Sequence, residues 1–406
     1  MLANNEVPSH VPPELVVDFQ FDSVPGADRD SVQASADAAR KLPDIFFGLG
    51  VRRAGNAWVV TRHDLIREVY QDAETFSSQH NADFGALVGE TWKMLPLEAD
   101  PPHHANWRIL LNPIFTPARM GALEAKIDGF ASELVDNVLA KGEAEFVKDF
   151  ADIFPVKIFL EMFGLPLEHT SQFVAWEYDL LHGTSIDANR NAAIAIVGYL
   201  RARIAERRAR PADDIISYVA GAKIEGRPLT DDEVLGVCFL LYTAGLDTVA
   251  NMLSFMFKHL AEHPADQQAL RDNPALIPNA VEELLRAYPI IISGRELARD
   301  TEFHGVTMRK GDTIVLPTQL AGRDEREFPN PDHVDFKREN VSHITFAAGP
   351  HRCVGSHLAR RELRIALEQW LTRVPPFRVK PGETPHTHGL GVLGVNRLPL
   401  VWDKAT

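Results

Sequence analysis

The chain has 406 residues, 45% of them apolar and 24% charged, the balance of a globular protein with a large core. Its formal net charge of −14 argues against a nucleic-acid surface or a wide contact with anionic lipid. Two cysteines, Cys238 and Cys353, give no disulfide scaffold and fit a reducing compartment; residues 1–13 show neither a basic n-region nor an apolar h-region, so a cytoplasmic protein without a membrane anchor is expected.

In chain order, residues 57–61 read as a strand after a turn at Asn56. Residues 63–70 read as a helix, with Leu65, Ile66, Val69 and Tyr70 on one face. From Pro101 to about Ile292 the pattern is mainly helical, with an amphipathic stretch over 123–139 and another helix opening at Asp214 after Pro211. Thr230 and Glu233 have the spacing of a capping box, in which each side chain caps the other's backbone N–H. They open a long apolar helix expected to reach His263-Pro264, roughly 50 Å at 1.5 Å per residue. Residues 234–257 carry a single charge, Asp247, near the middle. The length could span a bilayer, but a central charge is costly there, so we read a buried core helix. Residues 303–308 and 313–316, joined by Arg309-Lys310-Gly311-Asp312, read as a hairpin. A last helix starts after Gly355, with Leu363, Ala366, Leu367, Trp370 and Leu371 at helical spacing. The expected fold is mainly α with small β-sheets, in one large domain, residues 1–406.

Four segments carry chemistry. In Phe346-Ala347-Ala348-Gly349-Pro350-His351-Arg352-Cys353-Val354-Gly355, a Gly/Pro-rich loop holds one Cys just ahead of a helix. Unpaired backbone N–H groups at the helix start favour a thiolate, suited to a nucleophile or an axial haem ligand. The plainer reading is a small core Cys, but a core Cys does not need surrounding glycines. Glu283 and Arg286 lie three apart on one helix face and can pair, or form a solvated surface pair. Ala244-Gly245-Leu246-Asp247-Thr248 puts an acid and a hydroxyl in an apolar helix, expensive unless they serve something; Thr248 can bond back to the carbonyl four residues earlier, and a local widening is expected. Pro101-Pro102 starts a helix that sets His104 and Arg108 on one face, two cations suited to an acidic ligand or simply a solvated basic face.

The Phe346–Gly355 segment resembles the haem-binding signature of cytochromes P450, Phe-x-x-Gly-x-His/Arg-x-Cys-x-Gly, with Ala347 where Gly is common. The resemblance implies the cytochrome P450 fold around a buried haem b. Cys353 would be the iron's thiolate ligand, with Phe346, Gly355 and Ala244 beside the cofactor. His104, Arg108, Arg295 and His351 would contact its propionates. Glu283, Arg286 and Arg338 would form a structural triad. Asp247 would relay protons and Thr248 would hold the oxygen being activated. The implied reaction is R–H + O2 + 2 electrons + 2 protons to R–OH + water.

Further segments, among them Phe303-His304-Gly305-Val306, Val341-Ser342-His343, His357-Leu358-Ala359-Arg360-Arg361-Glu362 and Leu398-Pro399-Leu400-Val401-Trp402-Asp403, look like the bacterial camphor 5-monooxygenase group. That likeness implies a monomer fed by a [2Fe-2S] ferredoxin and an NADH-dependent flavoprotein reductase. Arg108, Arg352, Arg360 and Arg361 would supply local positive charge for docking. The implied substrate contacts are Trp92, Leu97, Leu240, Thr243, Ile291, Gly391 and Val392. Trp92, Leu97, Thr243, Ala244, Ser293 and Gly391 differ from the camphor group, so a terpenoid or norisoprenoid of ionone type is expected in place of camphor. A peroxide-using haem-thiolate fatty-acid hydroxylase and a haem-binding sensor are the alternatives; neither needs the Asp247-Thr248 pair.

Overall fold

The computed structural model describes residues 6–19, 37–52, 55–80, 82–183, 185–390 and 392–404. The chain divides into two compact units, one of Met1–Asn81, Ser254–Cys353 and Pro376–Asp403, the other of Ala82–Leu253, Val354–Pro375 and Lys404–Thr406. The fold is mainly helical with small sheets, as the pattern of apolar spacing predicts.

In the first unit, six strands form one sheet in the order Val16–Asp18, Ile45–Arg52, Gly55–Val60, Thr313–Pro317, Ile292–Leu297, Phe76–Ser77. Trp58 is fully buried, lies edge-on to Phe47 at 5.2 Å and donates its indole N–H to Asp312 at 3.0 Å. The His63–Gln71 helix buries Leu65, Ile66, Val69 and Tyr70. Its first turn has no cap from its own N-cap residue; Asp324, buried and far along the chain, accepts from the His63 backbone N–H at 2.9 Å.

The expected hairpin between 303–308 and 313–316 is not formed. Thr301–Phe303 pairs with Val306–Met308 around His304 and Gly305, both at positive φ (47° and 81°). Two left-handed central residues make the tight turn whose twist suits a hairpin. Thr313–Pro317 pairs instead with Ile292–Leu297, and through Ile314 and Val315 with Trp58 and Val59.

Glu283 and Arg286, on the Ile277–Ala287 helix, are not a surface pair. Both are fully buried, joined by two hydrogen bonds of 2.8 Å. Arg338 adds its Nε–H to the same carboxylate at 3.0 and 3.1 Å. Arg286 also donates to the carbonyls of Gly322, Pro331 and His333, and Arg338 to those of Pro329, Asn330 and His333. Two guanidinium forks thus satisfy the backbone of a segment that has no regular structure.

In the second unit the capping box forms as expected. Glu233 accepts from the Thr230 backbone N–H at 2.8 Å, and Thr230 Oγ1 from that of Glu233 at 3.2 Å. The helix runs unbroken from Asp231 to Glu262, its residues from Ser254 onward belonging to the first unit. By length and composition it could cross a membrane, yet 72% of its most apolar stretch is buried inside the protein. Gly236 is required for packing: a Cβ there would meet the Lys93 carbonyl oxygen at 2.0 Å. The Ser356–Arg373 helix lies on Glu124–Leu139, with Arg364 on Glu124 at 2.7 Å and Arg373 on Ser132 at 2.7 Å. Trp370 stands edge-on to Phe146 and Phe150 at 5.1 and 5.4 Å.

Candidate active site

The cysteine loop is built by three close backbone bonds. Ala347 N–H donates to Ile344 at 2.9 Å, Arg352 N–H to Gly349 at 3.1 Å and Cys353 N–H to Phe346 at 2.9 Å. Gly349 has φ +65°, and a Cβ on it would meet the Tyr70 carbonyl oxygen at 2.3 Å, so only glycine fits. Cys353 is exposed, whereas Cys238 is fully buried, its thiol pushed up to about 12 by burial and then by the charge of Asp214. Ala347 is held at φ 58°, in the left-handed region. That conformation costs an L-residue roughly 1–2 kcal/mol, against about 0.4–1 kcal/mol for the extra unfolded-state entropy of glycine. Ala347→Gly is therefore expected to raise stability by up to about 1.6 kcal/mol. A urea midpoint that falls would show that the loop does not strain Ala347.

Near this loop in the first unit, Arg295 is buried, donates to Gly294 at 2.7 Å and lies over the Tyr70 ring at 5.3 Å. The Tyr70 hydroxyl is 2.7 Å from Ser293 Oγ. His351, Phe346 and Gly355 are half-buried. Ile291 and Val392, both half-buried, face each other in an isolated bridge. Gly391 lies outside the described residues.

The second unit holds the other expected groups. His104 and Arg108 are on the His103–Leu111 helix, but they are not two equal cations. Burial first, then the charge of Arg108, pushes the His104 imidazole down to about 4, against the opposing pull of Asp100. At neutral pH the charge therefore rests on Arg108. Midway along the buried helix, Ala244 and Gly245 are exposed, and a Cβ at Gly245 would meet nothing within 4 Å. This is room for a flat group against backbone. Thr248 Oγ1 bonds back to Ala244 at 2.7 Å, as expected, but the helix is not broken there. Thr243, expected among the substrate contacts, spends its hydroxyl on its own helix, at 3.1 Å from the Phe239 carbonyl and 3.3 Å from that of Leu240. Trp92 is buried with its ring 4.9 Å from Phe239, and its indole N–H has no hydrogen-bond partner among the described residues. Leu97 and Leu240 are half-buried in the same apolar cluster.

Asp247 has partners that the motif does not announce. His182 Nε2 lies 2.8 Å from its Oδ1, and Asn251 donates to the same oxygen at 2.7 Å. Glu177 is buried beside them, with ligand atoms of Glu177, His182 and Asp247 all within 4.8 Å of one another. Asn251 is four residues from Asp247 and so legible as a helix neighbour. Glu177 also left a trace, an acid on the same face as Phe173 and Leu180 in the Thr170–His182 helix. His182 left none.

An exposed Cys in a glycine-bound loop, a buried Arg295, Arg108 for anionic groups and an open helix face around Gly245 suit a haem-thiolate protein. Known proteins agree. The cytochrome P450 family model matches residues 182–393. A probable cytochrome P450 127A1 of Sinorhizobium fredii is 42% identical over 98% of this chain and 97% of its own. The crystal structures of cytochrome P450 CYP101C1 and of CYP101J2 superpose with TM-scores of 0.88 and 0.87, at 34% and 32% identity, each over 98% of this chain and 100% of theirs. The chain belongs to the cytochrome P450 family. It is a monooxygenase with haem b as cofactor, and needs O2 and redox partners.

Proposed function

We propose that this enzyme hydroxylates a small ring ketone of the terpenoid or norisoprenoid class, ionone-like, with electrons from a [2Fe-2S] ferredoxin and an NADH-dependent flavoprotein reductase. Residues 1–406 would form one domain, monomeric, cytoplasmic and without a membrane partner. Cys353 would bind the haem iron, and Phe346, Gly355 and Ala244 would flank the cofactor. Arg108, Arg295, His351 and His104 would hold its propionates, and the Glu283–Arg286–Arg338 triad would fix the segment ahead of the cysteine loop. The haem supplies the oxidising chemistry. Asp247 and Thr248 would hold and pass protons, with Thr248 swinging its hydroxyl from the Ala244 carbonyl. Trp92, Leu97, Leu240, Thr243, Ile291, Gly391 and Val392 would line the substrate. Exposed Arg352 suits an acidic ferredoxin. Arg361 suits it less, because it is paired with Glu124.

The observation behind the substrate class is the Trp92 indole N–H, buried without an acceptor among the described residues. A buried donor left unsatisfied costs about 1–3 kcal/mol, which a ketone oxygen would recover. The bulk of Trp92 and the apolar Leu97 argue for a ligand other than camphor. β-Ionone is expected to shift the ferric spin state strongly and camphor weakly. Trp92→Phe should weaken β-ionone about tenfold, equivalent to ~1.4 kcal/mol. Equal affinity in Trp92→Phe would remove the hydrogen bond from the argument, and tight camphor binding by the unaltered enzyme would overturn the substrate class.

A further inference from the structure

The partners of Asp247 make up a cluster whose composition is unusual for a buried place. The charge of Asp247 acts on both Asp152 and Glu177, that of Asp152 acts on Glu177, and that of Glu145 on Asp152. The basic groups acting on Asp152 are His182 and Lys148, and the Tyr242 hydroxyl, itself bonded to the Phe173 carbonyl at 3.0 Å, feels the charge of Glu177. Burial is the first cause acting on Glu177, the charges of Asp247 and Asp152 the next; together they hold its carboxyl well above the usual range. Burial, then Asp247 and Glu145, pushes Asp152 up to about 7. Two carboxylates in apolar surroundings cannot both stay ionised without a counter-charge, so protons remain in the cluster. One oxygen of Glu177 and one of Asp247 are buried with no hydrogen-bond partner among the described residues, while the His182 side chain is 19% exposed.

We propose that Glu177 is a proton store for Asp247, tuned by the charge of Asp152, and that His182 is its mouth toward solvent. The proposal rests on the monooxygenase reading, in which each turnover consumes two protons. His182, protonated from water, gives its Nε2 proton to Asp247 Oδ1: an N–H bond breaks, an O–H bond forms and no electrons move. Glu177 can make the same transfer, becoming a carboxylate as Asp247 becomes a carboxylic acid, and water refills the store through the imidazole. Asn251 keeps Asp247 oriented by donating to Oδ1. Glu177, Asp152 and His182 act through Asp247, so they are positioning and supply residues. Asp152 is the group that titrates in the working range. Below about pH 7 it holds its proton, and above it becomes another negative charge that hinders ionisation of its neighbours.

The test has one arm without turnover. In the resting haem-loaded enzyme, infrared difference spectra in H2O and D2O should show a protonated-carboxyl band that is lost in Glu177→Gln. Part of the remaining signal should titrate near pH 7 and be absent from Asp152→Asn. In the second arm, NADH oxidation and product formation are followed with β-ionone and a surrogate [2Fe-2S] ferredoxin and reductase. Glu177→Gln and His182→Gln should slow the solvent-isotope-sensitive step about tenfold and leave β-ionone affinity within twofold. Asp152→Asn should flatten the fall in rate above pH 7. Wild-type rates, pH profile and carboxyl band in all three variants would overturn the proposal. So would a stoichiometric divalent metal in the purified protein that Glu177→Gln releases, since a cation would then hold the cluster together. Absence of any product with an intact carboxyl band and titration would instead count against the monooxygenase reading and leave the store standing.

Discussion

Replacing Cys353 by His is expected to abolish both the strongly red-shifted Soret band of the reduced carbonyl complex and the monooxygenase activity. The band reports thiolate ligation, and Cys353 is the one cysteine whose surroundings permit it. It is exposed, it sits directly before the Ser356–Arg373 helix, and its backbone is pinned to Phe346 at 2.9 Å. Imidazole ligation lacks the electron push that favours O–O cleavage. The measurement is the carbonyl difference spectrum of both proteins after haem loading, with product formation followed beside it. An unchanged band in the His variant would transfer the ligand role elsewhere.

The second large effect is on stability. Glu283→Ala should destabilise the protein by about 3–5 kcal/mol, because it leaves the Arg286 charge fully buried and without its counter-charge. Total stabilities of domains are about 5–15 kcal/mol, so the variant should sit near the threshold of folding and lose haem readily. Glu283→Gln keeps the shape and most acceptor positions, and so isolates the charge; it should fall between the alanine variant and the natural protein. Arg338→Ala removes the less buried partner and should cost less, since Arg286 still holds the carboxylate. Urea unfolding of the three variants gives the order. A loss below about 1 kcal/mol in Glu283→Ala would mean that the pair is replaceable by water, as for exposed ion pairs.

What could be read in advance followed from distance along the chain. The capping box of Thr230 and Glu233, the apolar face of residues 63–70 and the Glu283–Arg286 spacing are local, and each formed as read. The cysteine loop was legible because its glycines answer a backbone need, seen at Gly349 against the Tyr70 carbonyl. The strand at 303–308 was misread because His304 does not look like a left-handed turn residue, although Gly305 follows it. The cap that Asp324 supplies to the helix at His63 could not be read, since the two are brought together only by the folded first unit. The site divides in the same way. Asp247 and Thr248 stand out as polar residues in an apolar helix, but His182, 65 residues away, is coupled to Asp247 by packing alone. The neutral state of His104 was also hidden, because it depends on burial that a helix-face argument does not measure.

The contrast between the two cysteines bears on how the folded chain ages. Cys238, fully buried and with its thiol pushed up to about 12, offers oxidants neither access nor a thiolate. The vulnerability of the chain's thiols to oxidation is thereby concentrated in the sulfur of Cys353. Since that sulfur is the proposed ligand of the iron, loading the cofactor and shielding the chain from thiol oxidation are one event, and a molecule that has not yet acquired haem is the one exposed to irreversible damage.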